Sequence, residues 1–188
     1  MEKILNLIDP ALKYIDSGSF FRQPFKWLYY VLGILNILIP IWLINITSDI
    51  AKYASGKIVT CLVLLIIISV PLAFFGAMIW IKRGNNLNND ASNNSRFIAI
   101  PILANLIQTM GEWLGYMIGV GGFIAVLLLL LFGGGELSYY LPVGASFAML
   151  IVYPIIGFLI ILVARFIAEN FLAIASIANN TQAIKKEV

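Results

Sequence analysis

Glu112 and Arg165 stand at the ends of two successive long apolar runs, with Glu169 one helical turn further on, and their types allow a few chemistries. A carboxylate facing a guanidinium can lock the register of two helices, and a carboxylate alone can coordinate a cation or relay a proton. A ring of carboxylates from several copies can charge the mouth of a pore. Glu112 sits just before one apolar run and Arg165 just after the next, about equally far from the connection between them, so the spacing predicts that the two side chains meet. Glu169 lies one helical turn beyond Arg165 and competes for it, although Arg before Glu is the weaker order along a helix. Most other chemistry is closed to this chain. It has no histidine, and its one cysteine, Cys61, lies inside an apolar run, which excludes a His-based metal site, Ser-His-Asp and Cys-His catalysis, a cysteine zinc cage and an internal disulfide. The reading assigns no catalytic residue, no cofactor and no metal.

The elements that must position these residues are membrane spans. Of 188 residues, 61% are hydrophobic and 11% charged, and the mean hydropathy is +0.97; soluble domains carry charge on about a quarter of their residues. A helix rises about 1.5 Å per residue and the hydrocarbon layer is about 30 Å thick, so a crossing takes about 20 apolar residues. Four stretches qualify: 25–47, 58–81, one that ends at Phe132, and 143–164. The third begins its apolar character at Phe97, but spanning from there would bury Pro101, Asn105, Gln108 and Glu112, and a carboxylate at mid-bilayer costs about 2.5 to 3.5 kcal/mol. Placing the span on 113–132 buries no charge, so 97–112 is expected as a helical extension outside the hydrocarbon. The expected fold is all-α: a polytopic membrane protein of four transmembrane helices in two antiparallel hairpins, 25–81 and 97–164.

Orientation follows the basic residues in short flanks. With the N-terminus inside, ten of the twelve Lys and Arg residues are cytoplasmic and only Lys52 and Lys57 are outside, so the inner side carries the whole net charge of +3. Both termini are therefore expected in the cytoplasm, and the basic balance reflects topology and not a nucleic-acid partner. Residues 1–24 hold Ile4, Ile8, Leu12 and Ile15 at helical spacing, with Asp9 and Pro10 as a cap and first-turn pair; an interfacial helix is expected there, with no cleavable signal. Residues 82–96 (KRGNNLNNDASNNSR) read as a flexible cytoplasmic linker. Asn45, Asn93 and Asn179 begin glycosylation sequons but fall in or near the membrane or on the inner side, and carry no weight.

At an offset of 86, residues 26–34 lie over 112–120, matching Trp27 with Trp113, Leu28 with Leu114, Tyr30 with Tyr116 and Gly33 with Gly119. Pro71 precedes Lys82 by eleven residues and Pro154 precedes Arg165 by eleven. A duplicated hairpin and the shared alphabet of membrane spans both account for this. Gly111, Gly115 and Gly119 recur every four residues, with Gly122 close behind, forming a ridge that serves either internal packing of spans three and four or a subunit contact. Asn36, Asn45 and Ser69 are scattered polar side chains of the kind that make interhelical hydrogen bonds. Past the fourth span, Arg165, Glu169, Ser176 and Asn180 draw a polar stripe opposite Phe166, Phe171, Ile174 and Ile177, so 165–188 is expected as an amphipathic helix; it and the similarly patterned 97–112 can pack on each other, which is the favoured arrangement, lie on the inner leaflet, or build an oligomeric collar.

Three segments carry a family resemblance: Phe21-Arg22-Gln23-Pro24 leading into WLYYVLG, IQTMGEWLG at 107–115, and ARFIAENFLAIASIANNT at 164–181. In these the chain resembles a family of small, uncharacterised bacterial inner-membrane proteins (a domain of unknown function). The resemblance implies a bacterial cytoplasmic membrane location, structured positions for Glu112, Arg165 and Glu169, and no activity. The function expected is non-enzymatic: an oligomeric scaffold or an accessory subunit of a larger membrane complex, whose partners are the lipid bilayer and copies of itself or other subunits, with no nucleic acid and no small-molecule substrate. The alternative is a homo-oligomeric ion channel with Glu112 or Glu169 ringing its cytoplasmic mouth. An enzyme acting on lipid would need Asp, Glu, Lys or Tyr chemistry at the interface, a third and lesser reading.

Overall fold

The computed structural model describes residues 9, 19–87, 99–133 and 146–187, and every long element in them is helical. Helix α1 spans Ser19–Ala51 and α2 spans Gly56–Asn86. The third run begins as α3, Ala99–Tyr116, passes through a π-helical turn at Met117–Gly121 into α4, Gly122–Leu128, and ends in a second π-helical turn at Leu129–Gly133. Helix α5 spans Met149–Glu187. Four of these runs are long and apolar enough to cross a membrane. Most of the expected interfacial segment 1–24, the larger part of the 82–96 linker and the outer connection around 134–145 lie outside the described residues.

The helices are longer than a single crossing requires. At 33, 31 and 39 residues, α1, α2 and α5 are about 50, 46 and 58 Å long. Helix α2 therefore continues past the expected end of its span, and residues 82–86, read from the sequence as linker, are its last turns. They are fixed by contacts: Gly84 lies against Tyr29 and the backbone of Lys26, and Leu87 is buried with Tyr29, Trp80 and Ile102. Hydroxyls within the helices are satisfied locally, as Thr47 donates to the Leu43 carbonyl at 2.7 Å and Ser69 to that of Ile66 at 2.7 Å. Ser69 thus bonds its own helix, where an interhelical bond was expected.

Along the α1–α2 seam the contacts run in opposite sequence order, Gly33 meeting Ala77 to Ile81 and Gly84 meeting Lys26 and Tyr29. One buried apolar cluster, Ile58, Cys61, Leu62, Leu128 and Leu129, lies at the end near the short 52–55 turn. A second, aromatic cluster of Tyr29, Trp80, Leu87 and Ile102 lies at the other end. Helix α5 packs on the glycine ridge. Gly111 faces Ala164, Gly115 faces Ile161 and the Gly157 carbonyl, and Gly119 faces the Gly157 Cα. A Cβ on Gly157 would lie 2.5 Å from the Gly115 carbonyl oxygen and 2.6 Å from the Gly119 Cα, so glycine on both sides is what permits this backbone approach. The ridge thus serves internal packing of the third and fourth runs. Further along α5 the buried line is Ala168 and Ala175, while Phe166, Ile174 and Ile177 remain 59 to 66% exposed. Of the apolar residues expected to pack on 97–112, Phe166, Ile174 and Ile177 are left outside, and the small Ala168 and Ala175 are the ones turned inward.

Candidate functional site

Above the aromatic cluster, α1, α2 and α3 each present a short polar or aromatic stripe to the others. Helix α3 contributes Asn105, Thr109 and Glu112, α1 contributes Tyr29 and Asn36, and α2 contributes Trp80 and Arg83; in each stripe the spacing of three, four or seven residues keeps the side chains on one face. The Arg83 guanidinium engages both carboxylate oxygens of Glu112: Nη2 donates to Oε1, and Nε donates to Oε2 at 3.1 Å. Gln108, one turn before, adds a bond from Nε2 to Oε1 at 3.0 Å. A bidentate pair of this kind is among the stronger side-chain interactions and fixes orientation as well as distance.

One turn away the fully buried Tyr29 hydroxyl donates to Asn105 Oδ1 at 2.9 Å, and the buried Thr109 hydroxyl donates to the Asn105 backbone carbonyl at 2.7 Å. On the other side the Trp113 indole donates to Asn36 Oδ1 at 2.6 Å, and Asn36 Nδ2 donates to the Leu32 carbonyl at 2.8 Å. Gly76 makes room for that bond: a Cβ there would stand 2.9 Å from Asn36 Oδ1 and 3.3 Å from Trp113 Nε1. Tyr29 and Trp80 meet edge to face at 5.4 Å between centroids, and Trp80 and Trp113 at 6.2 Å. These groups form a three-helix clasp in which the polar atoms of Tyr29, Asn36, Arg83, Asn105, Thr109, Glu112 and Trp113 bond to one another or to nearby backbone, while the buried Trp80 indole nitrogen has no hydrogen-bond partner among the described residues.

The partner of Glu112 differs from the sequence expectation. Glu112 binds Arg83, and Arg165 pairs with Glu169 on the same helix at 3.3 Å with both side chains about two-thirds exposed. Arg83 and Arg165 lie at nearly the same level along the helix bundle, and rotation about the helix axis decides between them. Arg83 lies on the α2 face that also carries Gly76, Trp80 and Leu87, all buried inward, whereas Arg165 sits one residue past the inward Ala164. Gly111, Gly115 and Gly119 line the separate α3–α5 contact and do not join the clasp. Sequence reasoning missed Arg83, Tyr29, Thr109 and Trp113 as members; the signal available was the i, i+4, i+7 recurrence of 105, 109 and 112 and the phase of 76, 80, 83 and 87.

Chemically the clasp is a holding device. Both Glu112 oxygens accept bonds from a fixed cation, which leaves the carboxylate poorly disposed to coordinate a mobile ion. Among the described residues no three His, Cys, Asp or Glu side chains come together as a metal site would require. Comparison of the chain with protein families, with curated proteins and with solved structures gives no match. The four long apolar helices define the class: a multi-pass helical membrane protein.

Proposed function

We propose that the protein is a non-enzymatic subunit of the bacterial cytoplasmic membrane, built as two antiparallel hairpins with both termini in the cytoplasm, and that it acts by assembling with copies of itself or as an accessory subunit of a larger complex. One observation carries this reading: the C-terminal half of α5 projects an unburied apolar face beyond the level of the boundary charges. The register Gly111 to Ala164 puts Arg165 close to the depth of Glu112 and Arg83, so the 22 residues from Phe166 to Glu187 extend about 33 Å past it. Within this stretch Phe166, Ile174 and Ile177 are exposed while Ala168 and Ala175 pack inward. Large apolar residues displayed past the level of the boundary charges mark an interaction surface, and we read it as one that another protein covers. The amphipathic character assigned to 97–112 and 165–188 fits this division of labour, with small residues binding the two helices together and large ones facing a partner.

The channel reading finds less support. The polar groups inside the helices, Asn36, Thr47, Ser69 and Thr109, bond to their own helix or to a neighbouring side chain, and among the described residues no continuous polar face runs the length of a span. The test is mass analysis of the protein purified in mild detergent, alongside the triple variant Phe166→Gln, Ile174→Gln, Ile177→Gln. The expected result is a multi-subunit particle for the natural chain and a lone chain of unchanged helicity for the variant. A natural chain that travels alone, or a variant that assembles equally well, would overturn the proposal.

A further inference from the structure

A groove of about 690 Å³ runs along the outer side of the α2–α3 junction, its walls formed by Ile68, Pro71, Phe75 and Met78 on α2 and Tyr116 and Val120 on the third run. Its shape follows from two breaks in regular helix. Pro71 removes a backbone donor within α2, and across from it the π-helical turn Met117–Gly121 displaces Val120 from regular α-helical phase. The lining is apolar except at one end, where Lys82 enters it. Lys82 is adjacent to Arg83, so the cation stands at the depth of the Arg83–Glu112 pair, and unlike Arg83 it makes no ion pair among the described residues. From Ile68 to Lys82 is 14 residues of helix, or about 21 Å, enough to run from a headgroup to beyond the middle of a bilayer whose hydrocarbon half-thickness is about 15 Å.

We propose that this groove is a binding site for an anionic phospholipid, with one acyl chain lying against Phe75, Met78 and Val120 and the phosphate held by the Lys82 ammonium. An apolar slot open to the membrane and capped by one cation at headgroup depth matches a lipid in both of its halves. A second groove, of about 550 Å³ between α3 and α5, shows the contrast: its lining, including Met110, Leu114 and Val163, contains no charged residue. It offers a headgroup nothing, and no charge selectivity is expected there.

The proposal concerns single chains in lipid and stands or falls apart from the assembly reading. The experiment is native mass analysis of the full chain in detergent with added phosphatidylglycerol or phosphatidylcholine of the same acyl chains. The natural chain is expected to retain the anionic lipid about fivefold over the zwitterionic one, the effect of one lysine beside an anionic headgroup. Lys82→Gln should bring the two to parity, Val120→Trp should reduce retention of both by filling the slot, and Lys26→Gln, which alters another boundary lysine, should change neither. Equal retention of the two lipids by the natural chain, or a preference that survives Lys82→Gln, would overturn the proposal. So would an equal effect of Lys26→Gln, which would mean diffuse surface charge, or displacement of the lipid by millimolar inorganic phosphate, which would mean a site for a soluble anion. Lys82 is exposed, so its variant is expected to keep its helicity, and the comparison does not depend on the groove-filling variant folding.

Discussion

Removing the charge from Glu112 or Arg83 one at a time, and then from both, measures the clasp at its strongest bond. Two unit charges about 4 Å apart attract by about 4 kcal/mol at an effective dielectric of about 20, and their desolvation offsets part of this. The side chains keep 30% and 24% of their exposure, which places the pair between exposed pairs, at about 0.2 to 1 kcal/mol, and buried ones, where losing a partner costs about 3 to 5 kcal/mol. Glu112→Gln and Arg83→Gln should each destabilise by about 2 to 3 kcal/mol, and the double variant by about 1.5 to 2 kcal/mol less than the two effects added. The assay is reversible unfolding in mixed micelles followed by helical circular dichroism. The control is the same cycle with Arg165→Gln, whose pairing with the exposed Glu169 is worth only about 0.3 to 0.5 kcal/mol and which should not couple to Glu112. Strict additivity for 83 with 112, or coupling of 112 with 165, would refute the Arg83–Glu112 pairing.

Other outcomes follow from the packing and the charge asymmetry. Gly115→Ala should destabilise by about 1 to 3 kcal/mol in the same assay, because its Cβ would meet the Gly157 carbonyl at 2.5 Å, while Gly121→Ala, with nothing within 4 Å, should be neutral or stabilising by up to about 1 kcal/mol. In a Cys61→Ser background, Ser138→Cys should react with an impermeant thiol reagent added to intact cells and Asn89→Cys should not; labelling at 89 would reverse the orientation. The purified protein in planar bilayers should pass no current, and reproducible single-channel steps altered by Glu112→Lys would bring the channel reading forward.

Much of the fold is legible in the sequence, for a physical reason. Hydropathy and length register where a chain can cross a membrane, so the four long apolar helices follow from composition. Rotation about each helix axis is written more faintly. Arg83 is one of several basic residues expected at the inner boundary, and only its phase with Gly76, Trp80 and Leu87 marks it as inward. The same gap explains the α5 faces: hydropathy does not fix rotation, and it is the small Ala168 and Ala175 that turn inward while Phe166, Ile174 and Ile177 stay exposed. The aligned Trp27 and Trp113 differ sharply, the first 66% exposed and the second bonded to Asn36, although Gly33 and Gly119 both sit at a close approach to the next helix. The π-helical turns left no pattern in the sequence beyond the glycines that accommodate them.

A photo-activated cross-linking side chain placed at Ile174, with a second placed at Phe74 as a control within the span, reads directly what covers the projecting face of α5 in native membranes. Both side chains are exposed, at 59% and 58%. Assembly through α5 predicts protein adducts from position 174, to another copy or to a larger partner, and adducts to lipid alone from position 74. Lipid adducts alone from both positions would contradict it.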